Sequence, residues 1–307
     1  MKTLLEKYLY CLNCRYDIKE KKAYLVCENC GLKYKKKEGI ITTIPHLTPD
    51  IKLSIDKWDS IYKNILKNKT YYENYKYYIK MYYDDTYNQL QEVKKFTNST
   101  YLELGCGPFF LGQTFAKKCK LVIGIDFCPS ALKIAKKMLD EKGVKNYILI
   151  QGDILKMPLK DNTVDIVYGG GVIEHFKNTQ VSVNEYYRIL KKGGVAFNTV
   201  PYLNVGSLTY RQVWGNIPNA PVLKQIAESI HMGLLKGKHM KFGYEMSFSR
   251  NTLRKLHKEA KFKKIRVDNF TVNLAFDFLP NSLRKPSIWL AKNSRLFWPM
   301  VKVIAQK

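Results

Sequence analysis

This 307-residue sequence has few acidic residues for its basic ones, and it has no long apolar run. It contains 26 Asp and Glu against 52 Lys and Arg, which gives a formal net charge of +26. No stretch of about 18 consecutive apolar residues occurs, so we expect no transmembrane helix. Residues 1–7 also lack the apolar core of a signal peptide, and we therefore expect a cytoplasmic protein.

Arginine is scarce as well, because only eight of the 52 basic residues are Arg. The others are Lys, which recognises phosphate less specifically than Arg and is spread over the whole chain. The charge therefore permits a nucleic-acid or anionic-membrane partner without demonstrating one. A general compositional bias toward Lys would explain it equally well.

Seven Cys are present, and four of them form two close pairs, Cys11-x-x-Cys14 and Cys27-x-x-Cys30. This spacing suits a tetrahedral Cys₄ zinc site, in which each pair offers two thiolates on a tight turn. A redox Cys-x-x-Cys is the alternative, but a redox pair would not be duplicated. We predict a zinc ribbon whose metal is structural, because so small a core needs a metal to fold. The three scattered Cys fit a reducing compartment.

The motif around which the chain is organised lies in residues 100–112, Thr-Tyr-Leu-Glu-Leu-Gly-Cys-Gly-Pro-Phe-Phe-Leu-Gly. A short apolar strand breaks at Gly105-Cys106-Gly107, and a helical pattern follows over residues 110–118. Such a turn lets a nucleotide approach the backbone and offers it free N–H groups. The dinucleotide fingerprint is incomplete, because Phe110 stands where its third Gly belongs. Glu103 would repel a pyrophosphate, whereas a sulfonium tolerates a nearby acid.

Two more carboxylates follow the next two predicted strands. The apolar strand 121–126 ends in Asp126, 19 residues after Gly107, where it can accept from both ribose hydroxyls, and Phe127 can lie against the adenine. Strand 146–151 precedes Asp153 and Ile154, and Asp153 is placed to accept from the adenine amino group. Taken alone, Asp153 could be an ordinary Asp in a surface turn, and residues 105–107 could be an ordinary tight turn between a strand and a helix. Their order along the chain favours a nucleotide site.

The fourth predicted strand, residues 164–168, runs into three glycines. Ligands of open α/β sheets lie outside the carboxyl ends of the strands, so Tyr168 and Gly169 to Gly171 should line the reaction point. Glu174 and His175 come next and are candidate bases for an acceptor that must lose a proton. The alternatives are a cap for Glu174 and a structural, backbone-bonded histidine for His175. Further candidates in the following segment are His231, His239 and Tyr244.

Glu-Leu-Gly-Cys-Gly-Pro at residues 103–108 resembles motif I of the class I S-adenosylmethionine (SAM) methyltransferases. Asp-Asn-Thr-Val-Asp-Ile-Val at residues 161–167, followed by Glu-His, is similar to the type 11 methyltransferase pattern. The resemblance covers residues 98–200 well, 247–270 and the last strand in part, and 201–246 hardly at all. It implies SAM as the cofactor, bound by Glu103, Gly105, Cys106, Gly107, Asp126, Phe127, Asp153, Ile154, Tyr168 and Gly169.

Together the patterns predict an α/β fold, a seven-stranded Rossmann-like doubly wound sheet with a small N-terminal zinc ribbon. We predict the ribbon in residues 1–45, a helical Tyr-rich connector or lid in 46–97, and the SAM methyltransferase domain in 98–307. Trp58 and Tyr62 are the lid candidates. Residues 201–246 are an insertion over the strand ends that would set substrate choice, and strand 301–305 is antiparallel. A second insertion, 272–298, is apolar and basic, and we favour its burial against the sheet over a substrate wall, a dimer face or peripheral membrane contact.

Three functions remain open at this point. The first is methyl transfer, by in-line displacement, to a small-molecule, glycan or lipid-linked acceptor. The second is an RNA (rRNA or tRNA) methyltransferase, because the predicted ribbon resembles those preceding some methyltransferase domains, including rRNA guanine methyltransferases. The Asn/Asp-Pro-Pro-aromatic motif of many amino-methylating nucleic-acid enzymes is absent after the fourth strand, which weakens base-amine methylation. The third is a non-catalytic SAM-binding module, against which the intact Glu103 and Asp126 argue.

Overall fold

The computed structural model describes residues 2–43, 49–68, 73, 86–270, 276 and 279–307. The chain starts with a short helix, Leu4–Tyr8, whose first turn is capped by Thr3. Four strands follow, β1 Ile18–Glu20, β2 Tyr24–Cys27, β3 Lys33–Lys37 and β4 Ile40–Thr42. Each pairs antiparallel with the next, so that residues 18–42 form a meander. We call residues 2–43 the ribbon.

The rest of the chain alternates between strands and helices. The strands are β5 Thr100–Leu104, β6 Leu121–Asp126, β7 Tyr147–Gln151, β8 Val164–Gly170, β9 Leu190–Pro201, β10 Ile217–Pro218, β11 Met246–Ser247, β12 Lys263–Asn269 and β13 Met300–Gln306. The helices are Pro49–Lys67, Phe110–Phe115, Pro129–Glu141, Thr179–Ile189, Val205–Leu208, Pro221–Glu228, Arg250–Glu259 and Asn281–Asn293. Residues 86–93 are also helical. Shorter helical turns are Ile173–His175, Tyr210–Trp214 and Ser229–Leu234.

The main sheet corrects the predicted strand count. It contains eleven strands among the described residues, in the order β1-β2-β3-β4-β7-β6-β5-β8-β9-β13-β12, and it is mixed rather than seven-stranded. The difference arises because β4 pairs in parallel with β7, with Ile40 opposite Leu149. The ribbon thereby covers an edge that β7 would otherwise leave open for pairing with another chain. The antiparallel position predicted for the last strand is confirmed, since β13 lies between β9 and β12.

Both faces of the sheet are covered by apolar clusters. On β5, Leu102 and Leu104 belong to one buried cluster and Tyr101 to another, as the alternation of side chains along a strand requires. The first cluster contains residues of helices Thr179–Ile189 and Arg250–Glu259, and the second contains residues of helices Phe110–Phe115 and Pro129–Glu141. The α/β class and the doubly covered sheet are therefore confirmed.

The strand order reverses at β5, which lies between β6 and β8. From β5 the chain proceeds outward through β6 and β7 and then returns to the other side of β5 with β8 and β9. In open parallel sheets this switch point is where the loops diverge and a ligand finds a crevice. The carboxyl ends of β5, β6 and β8 therefore define where a site should lie.

Two local predictions fail and one lies largely outside the described residues. Gly169 and Gly170 belong to β8 instead of following it. The segment 272–298, for which we favoured burial, is mostly exposed where it is described, with Trp289 66% and Leu296 56% exposed. Residues 69–72 and 74–85 of the Tyr-rich connector lie outside the described residues. No described helix is both long enough and apolar enough to cross a membrane.

Candidate cofactor and acceptor site

The turn after β5 is shaped by two glycines. Gly105 and Gly107 adopt φ values of 56° and 50°, in the left-handed region that glycine occupies without strain. A Cβ atom on Gly107 would lie 2.7 Å from the Tyr62 hydroxyl, and one on Gly105 would lie 2.8 Å from a methyl group of Val172. The turn is therefore a narrow cradle in which only backbone atoms are presented. Cys106 directs its side chain into the core, where it is 1% exposed.

Glu103, near the end of β5, stabilises this turn through hydrogen bonds to the residues on either side of it. One carboxylate oxygen, Oε2, accepts the Gly112 N–H at 2.9 Å and the Tyr101 hydroxyl at 3.2 Å. The side chain is only 1% exposed, and burial raises its pKa to about 8. Glu103 therefore joins β5 to the following helix and holds its proton near neutral pH.

Asp126 lies directly beside the turn, at the end of β6. Its Oδ2 accepts the Gly107 N–H at 2.7 Å, and its Oδ1 accepts the Cys128 N–H at 2.7 Å. Burial raises its pKa, while the two backbone donors favour the charged form. A carboxylate has about four acceptor positions, so lone pairs remain for ligand hydroxyls. The predicted neighbourhood of Asp126 and Gly107 is present, and a contact with ribose stays a prediction.

Phe127 and Asp153 lie after adjacent strands, because Asp126 pairs with Gln151 across β6 and β7. The Gln151 amide donates to the Phe127 carbonyl at 3.2 Å and links the two loops. Asp153 accepts the Leu155 N–H at 2.8 Å, and burial raises its pKa. Ile154 is buried beside it. The structure thus brings together the residues predicted for the adenosine half of the cofactor.

The end of β8 packs closely against the neighbouring strand β9 and against helix Thr179–Ile189. A Cβ atom on Gly169 would lie 2.8 Å from Asn198 Oδ1 and 3.0 Å from the Tyr186 hydroxyl. Among the described residues, neither of these two buried oxygens has a hydrogen-bond partner. Buried polar atoms without partners are rare in native proteins and are usually satisfied by water or a ligand. Tyr168 is itself buried, with its hydroxyl against Gly170.

Glu174 and His175 occupy the helical turn after β8. Glu174 is 1% exposed, and its Oε2 has no hydrogen-bond partner in the described part of the chain. Burial, reinforced by the charge of Glu245, raises its pKa well above the usual value. His175 Nδ1 lies 2.6 Å from the Tyr244 carbonyl oxygen, so Nδ1 carries the proton and donates it. The backbone-bonded histidine expected as an alternative is therefore present, and its Nε2 keeps a lone pair.

The other candidates in the insertion make hydrogen bonds with residues of the insertion. His231 Nδ1 lies 2.8 Å from His239 Nε2, and His231 Nε2 lies 3.0 Å from Gln212 Oε1. The Tyr244 hydroxyl donates to Glu228 at 2.6 Å. These three side chains are thus engaged in contacts within the insertion, and the Tyr244 backbone reaches the turn that contains His175.

Helix Pro49–Lys67 contributes the lid candidates. Tyr62 reaches Gly107, and Trp58 stacks on Tyr62 and on Phe242 with ring centroids 5.9 and 5.7 Å apart. Lys57 donates to the backbone carbonyls of Gly237 and Met240. The helix therefore joins the glycine turn to the insertion.

Sequence reasoning missed two residues that the structure places beside Gly169. Tyr186 belongs to helix Thr179–Ile189, and Asn198 stands in the middle of β9. A signal for Asn198 was available, because it interrupts the apolar run Val-Ala-Phe-Asn-Thr-Val at residues 195–200. Tyr186 gave no such signal, since an aromatic residue on the inner face of a helix usually belongs to the core.

The four paired cysteines meet in the ribbon. The Cys11 and Cys30 sulfurs are 3.6 Å apart, those of Cys14 and Cys27 are 3.4 Å apart, and all four lie within 4.8 Å of one another. Tetrahedral Zn–S bonds of about 2.3 Å would place sulfurs about 3.8 Å apart. The donor set and its spacing therefore fit a structural zinc ion.

Comparison with known proteins bears on the segment that holds this site. Residues 102–198 match the family model described as a methyltransferase domain. This segment is similar to a methyltransferase domain. Demethylmenaquinone methyltransferase of Lactococcus lactis is 30% identical over 109 residues, which cover 34% of this chain and 43% of that protein. Malonyl-acyl-carrier-protein O-methyltransferase of Hamiltonella defensa is 29% identical, with 43% and 49% covered. The chain spans less than half the length of both relatives.

Solved structures extend the likeness to most of the chain. One chain of a Haloferax volcanii complex that contains the Trm112 methyltransferase activator has a TM-score of 0.57 at 16% identity, covering 81% of this chain and 96% of that one. The cyclase SpnF has a TM-score of 0.50 at 14% identity, covering 73% and 80%. At such low identity the likeness establishes the fold. Because a cyclase shares the fold, the reaction must be argued from the site.

Proposed function

We propose that the chain is a SAM-dependent methyltransferase. The observation that carries this proposal is the hydrogen bond from the Gly107 N–H to Asp126, which joins the glycine cradle and the carboxylate into one unit. This unit lies at the switch point of the sheet, within the segment similar to a methyltransferase domain. SAM suits this site better than a dinucleotide, because Phe110 stands where a dinucleotide fingerprint has its third Gly.

The residues present fit SAM. When bound, SAM would supply an already activated methyl group. The cradle at residues 105–107 would receive its amino-acid portion, Asp126 its ribose hydroxyls, and Asp153 with Ile154 its adenine. Gly169 would lie on the acceptor side of the cofactor, with Tyr186 and Asn198 packed beside it. The main contribution of the protein is then to hold the acceptor in line with the methyl–sulfur bond.

A base is required only for an acceptor that loses a proton, and we assign that role to His175. Its Nδ1–H is held by the Tyr244 carbonyl, so Nε2 is the atom that can accept a proton. Glu174 suits the role less, because a carboxyl group with a strongly raised pKa already holds its proton. Replacing His175 by Ala should slow transfer to a hydroxyl or carbon acceptor by about 10²-fold or more and leave cofactor affinity unchanged. Unchanged turnover would remove His175 from the mechanism.

For the acceptor we propose a small-molecule or lipid-linked compound, in keeping with the named substrates of the two relatives. RNA is the second candidate, and one observation favours it. Lys33, Lys35 and Lys37 alternate along β3 and are exposed, so they form a basic row on one face of the ribbon. Structural zinc at the four cysteines is part of either proposal.

The test is transfer of a labelled methyl group from SAM into cell extract separated into lipid, small-molecule and RNA fractions. Label in the lipid or small-molecule fraction, lost in Asp126→Ala, is the expected result. Label in RNA alone would replace the first acceptor class by the second. No label in any fraction, with SAM binding intact, would favour a non-catalytic SAM-binding module.

A further inference from the structure

The ribbon touches the loop that carries Asp153 and Ile154. We call residues 152–160 the adenosine loop. Thr43 follows the last ribbon strand, and its N–H donates to the Gln151 carbonyl at 2.9 Å, at the point where the loop begins. A Cβ atom on Gly152 would lie 2.7 Å from the Thr43 hydroxyl, so the Gly152 backbone is in close contact with the Thr43 side chain. The first residue of the loop therefore packs directly against the ribbon.

The far end of the adenosine loop is held by the residues that lead into the first cysteine pair. Leu9 and Leu159 form an antiparallel bridge. The Tyr10 N–H donates to the Pro158 carbonyl at 2.9 Å, and the Lys160 N–H donates to the Tyr8 carbonyl at 2.8 Å. Cys11 follows Tyr10 directly. A change at the metal site is therefore one residue away from a backbone contact with the loop.

Two side chains extend this contact. Lys160 Nζ pairs with Asp17 at 2.6 Å and donates to the Glu6 carbonyl at 2.9 Å, both in the ribbon. The Thr42 hydroxyl donates to Gln151 Oε1 at 3.3 Å, and the same amide donates to the Phe127 carbonyl. Through one side chain, Thr42 is thus connected to the residue that follows Asp126.

Helix Thr179–Ile189 holds the opposite side of the loop. Arg188 donates to the Leu159 carbonyl at 2.6 Å and to the Met157 carbonyl at 3.1 Å, while Glu185 accepts the Met157 N–H at 3.1 Å. The Arg188 guanidinium also lies over the Tyr10 ring of the ribbon, 5.4 Å from its centroid. The adenosine loop is therefore held between this helix and the ribbon. If the ribbon were disordered, the loop would keep its contacts with the helix and lose those with the ribbon.

We propose that the metal-loaded ribbon is a positioning element of the cofactor site, which holds the adenosine loop so that Asp153 and Ile154 meet the ligand. This inference rests on the proposed function for the identity of that ligand. Thr42, Thr43 and Lys160 act through the loop and touch no reacting atom. Because coupling between two binding sites is reciprocal, cofactor binding should also strengthen metal binding by the factor by which metal strengthens cofactor binding.

The first test uses the full, zinc-loaded chain with S-adenosylhomocysteine as the probe, calorimetry for affinity and amide hydrogen exchange for the loop. Thr42→Val removes one hydroxyl and keeps the side-chain volume. It should weaken affinity by about twofold to tenfold, the range for one hydrogen bond, and raise exchange at residues 152–160. Thr209→Val is the matched control, since the Thr209 hydroxyl bonds to the Val205 carbonyl, away from the loop. Equal affinity and exchange in both variants would overturn the proposal.

The second test is removal of the metal by a chelator. Exchange should rise in residues 8–43 and 152–160, while β5 and β6 stay protected. A rise confined to the ribbon contradicts the proposal, because the metal would then stabilise the ribbon alone. An equal rise across β5 and β6 also contradicts it, because the metal would then stabilise the whole fold rather than the loop. If the zinc-loaded wild type does not bind the probe, the proposed function fails, whereas the exchange pattern still decides whether the ribbon orders the loop.

Discussion

At the scale of single residues, the site is distinguished by buried carboxyl groups. Burial raises the pKa of Glu103, Asp126, Asp153 and Glu174. Backbone N–H donors oppose this shift at each of them, and at Asp126 they come from Gly107 and Cys128. A positively charged ligand would favour the ionised forms further.

The pKa of Glu103 leads to a prediction about stability. The folded-state pKa is about 8 against an ordinary value of 4.5, so the folded protein holds a proton that the unfolded chain loses. The contribution of this group is therefore fully present below about pH 4.5 and falls as the pH rises toward 8. In urea denaturation, the wild type should lose more stability between pH 5 and pH 8 than Glu103→Gln does, by about a few kcal/mol at most. If the free energy of unfolding depended on pH in the same way in the wild type and in Glu103→Gln, the raised pKa of Glu103 would be contradicted. Glu141→Gln, at an exposed residue, is the control and should behave like the wild type.

How far these residues could be predicted depended on their separation along the chain. The contact of Asp126 with Gly107 follows from a strand–turn–helix–strand pattern whose length fixes the register. The approach of Tyr186 and Asn198 to Gly169 depends on how a helix and a strand pack, which local pattern does not specify. Glu174 is buried near Glu245 of the insertion, and the motif did not indicate this.

At the scale of helices and strands, helix Pro49–Lys67 is the element that completes the site. Besides Tyr62 and Trp58, Asp59 accepts the Ser130 N–H at 3.1 Å, which fixes the helix to the one that follows β6. The spacing of apolar residues predicted a helix here, and the resemblance to methyltransferases implied that it could be a lid. Its contacts with Phe242 and with the carbonyls of residues 237 and 240 could not be anticipated, because they join residues at least 180 positions apart.

This helix gives a second prediction. Trp58→Ala removes both aromatic stacks, each worth about 0.5–1.5 kcal/mol, and should free Tyr62 from the position above Gly107. Affinity for S-adenosylhomocysteine should fall about tenfold, as measured by calorimetry. Trp289→Ala, at a residue 66% exposed, should leave affinity unchanged. Equal affinity in both variants would show that the helix is no lid.

At the scale of the whole molecule, the strand pairing and the surface were the least predictable features. The sequence indicated a ribbon and a separate sheet, whereas β4 joins them through residues more than a hundred positions apart. Pairing across such a distance depends on which edge is left open after folding. The surface likewise carries exposed apolar side chains in two segments, and they include Val222, Ile226, Leu234, Leu283 and Trp289.

These side chains and the positive charge predict a peripheral contact with anionic membranes. Residues 221–241 contain four Lys and one acid, Glu228, which is bonded to Tyr244. The protein should sediment with vesicles that contain phosphatidylglycerol and should do so less at high salt. The double variant Ile226→Asn and Leu234→Asn should weaken sedimentation with these vesicles. Leu66→Asn is the control, because Leu66 is 43% exposed but lies outside these two segments, and it should sediment like the wild type. Equal sedimentation of both variants would show that this surface does not contact the membrane.

The central claim is that the turn at Gly105–Gly107 and Asp126 form a SAM site, and calorimetry on the zinc-loaded protein tests it most directly. The account predicts saturable binding of SAM to the wild type and its loss in Asp126→Ala, with an unchanged far-ultraviolet circular dichroism spectrum in the variant. Absence of binding in the wild type, or equal binding in Asp126→Ala, would contradict it.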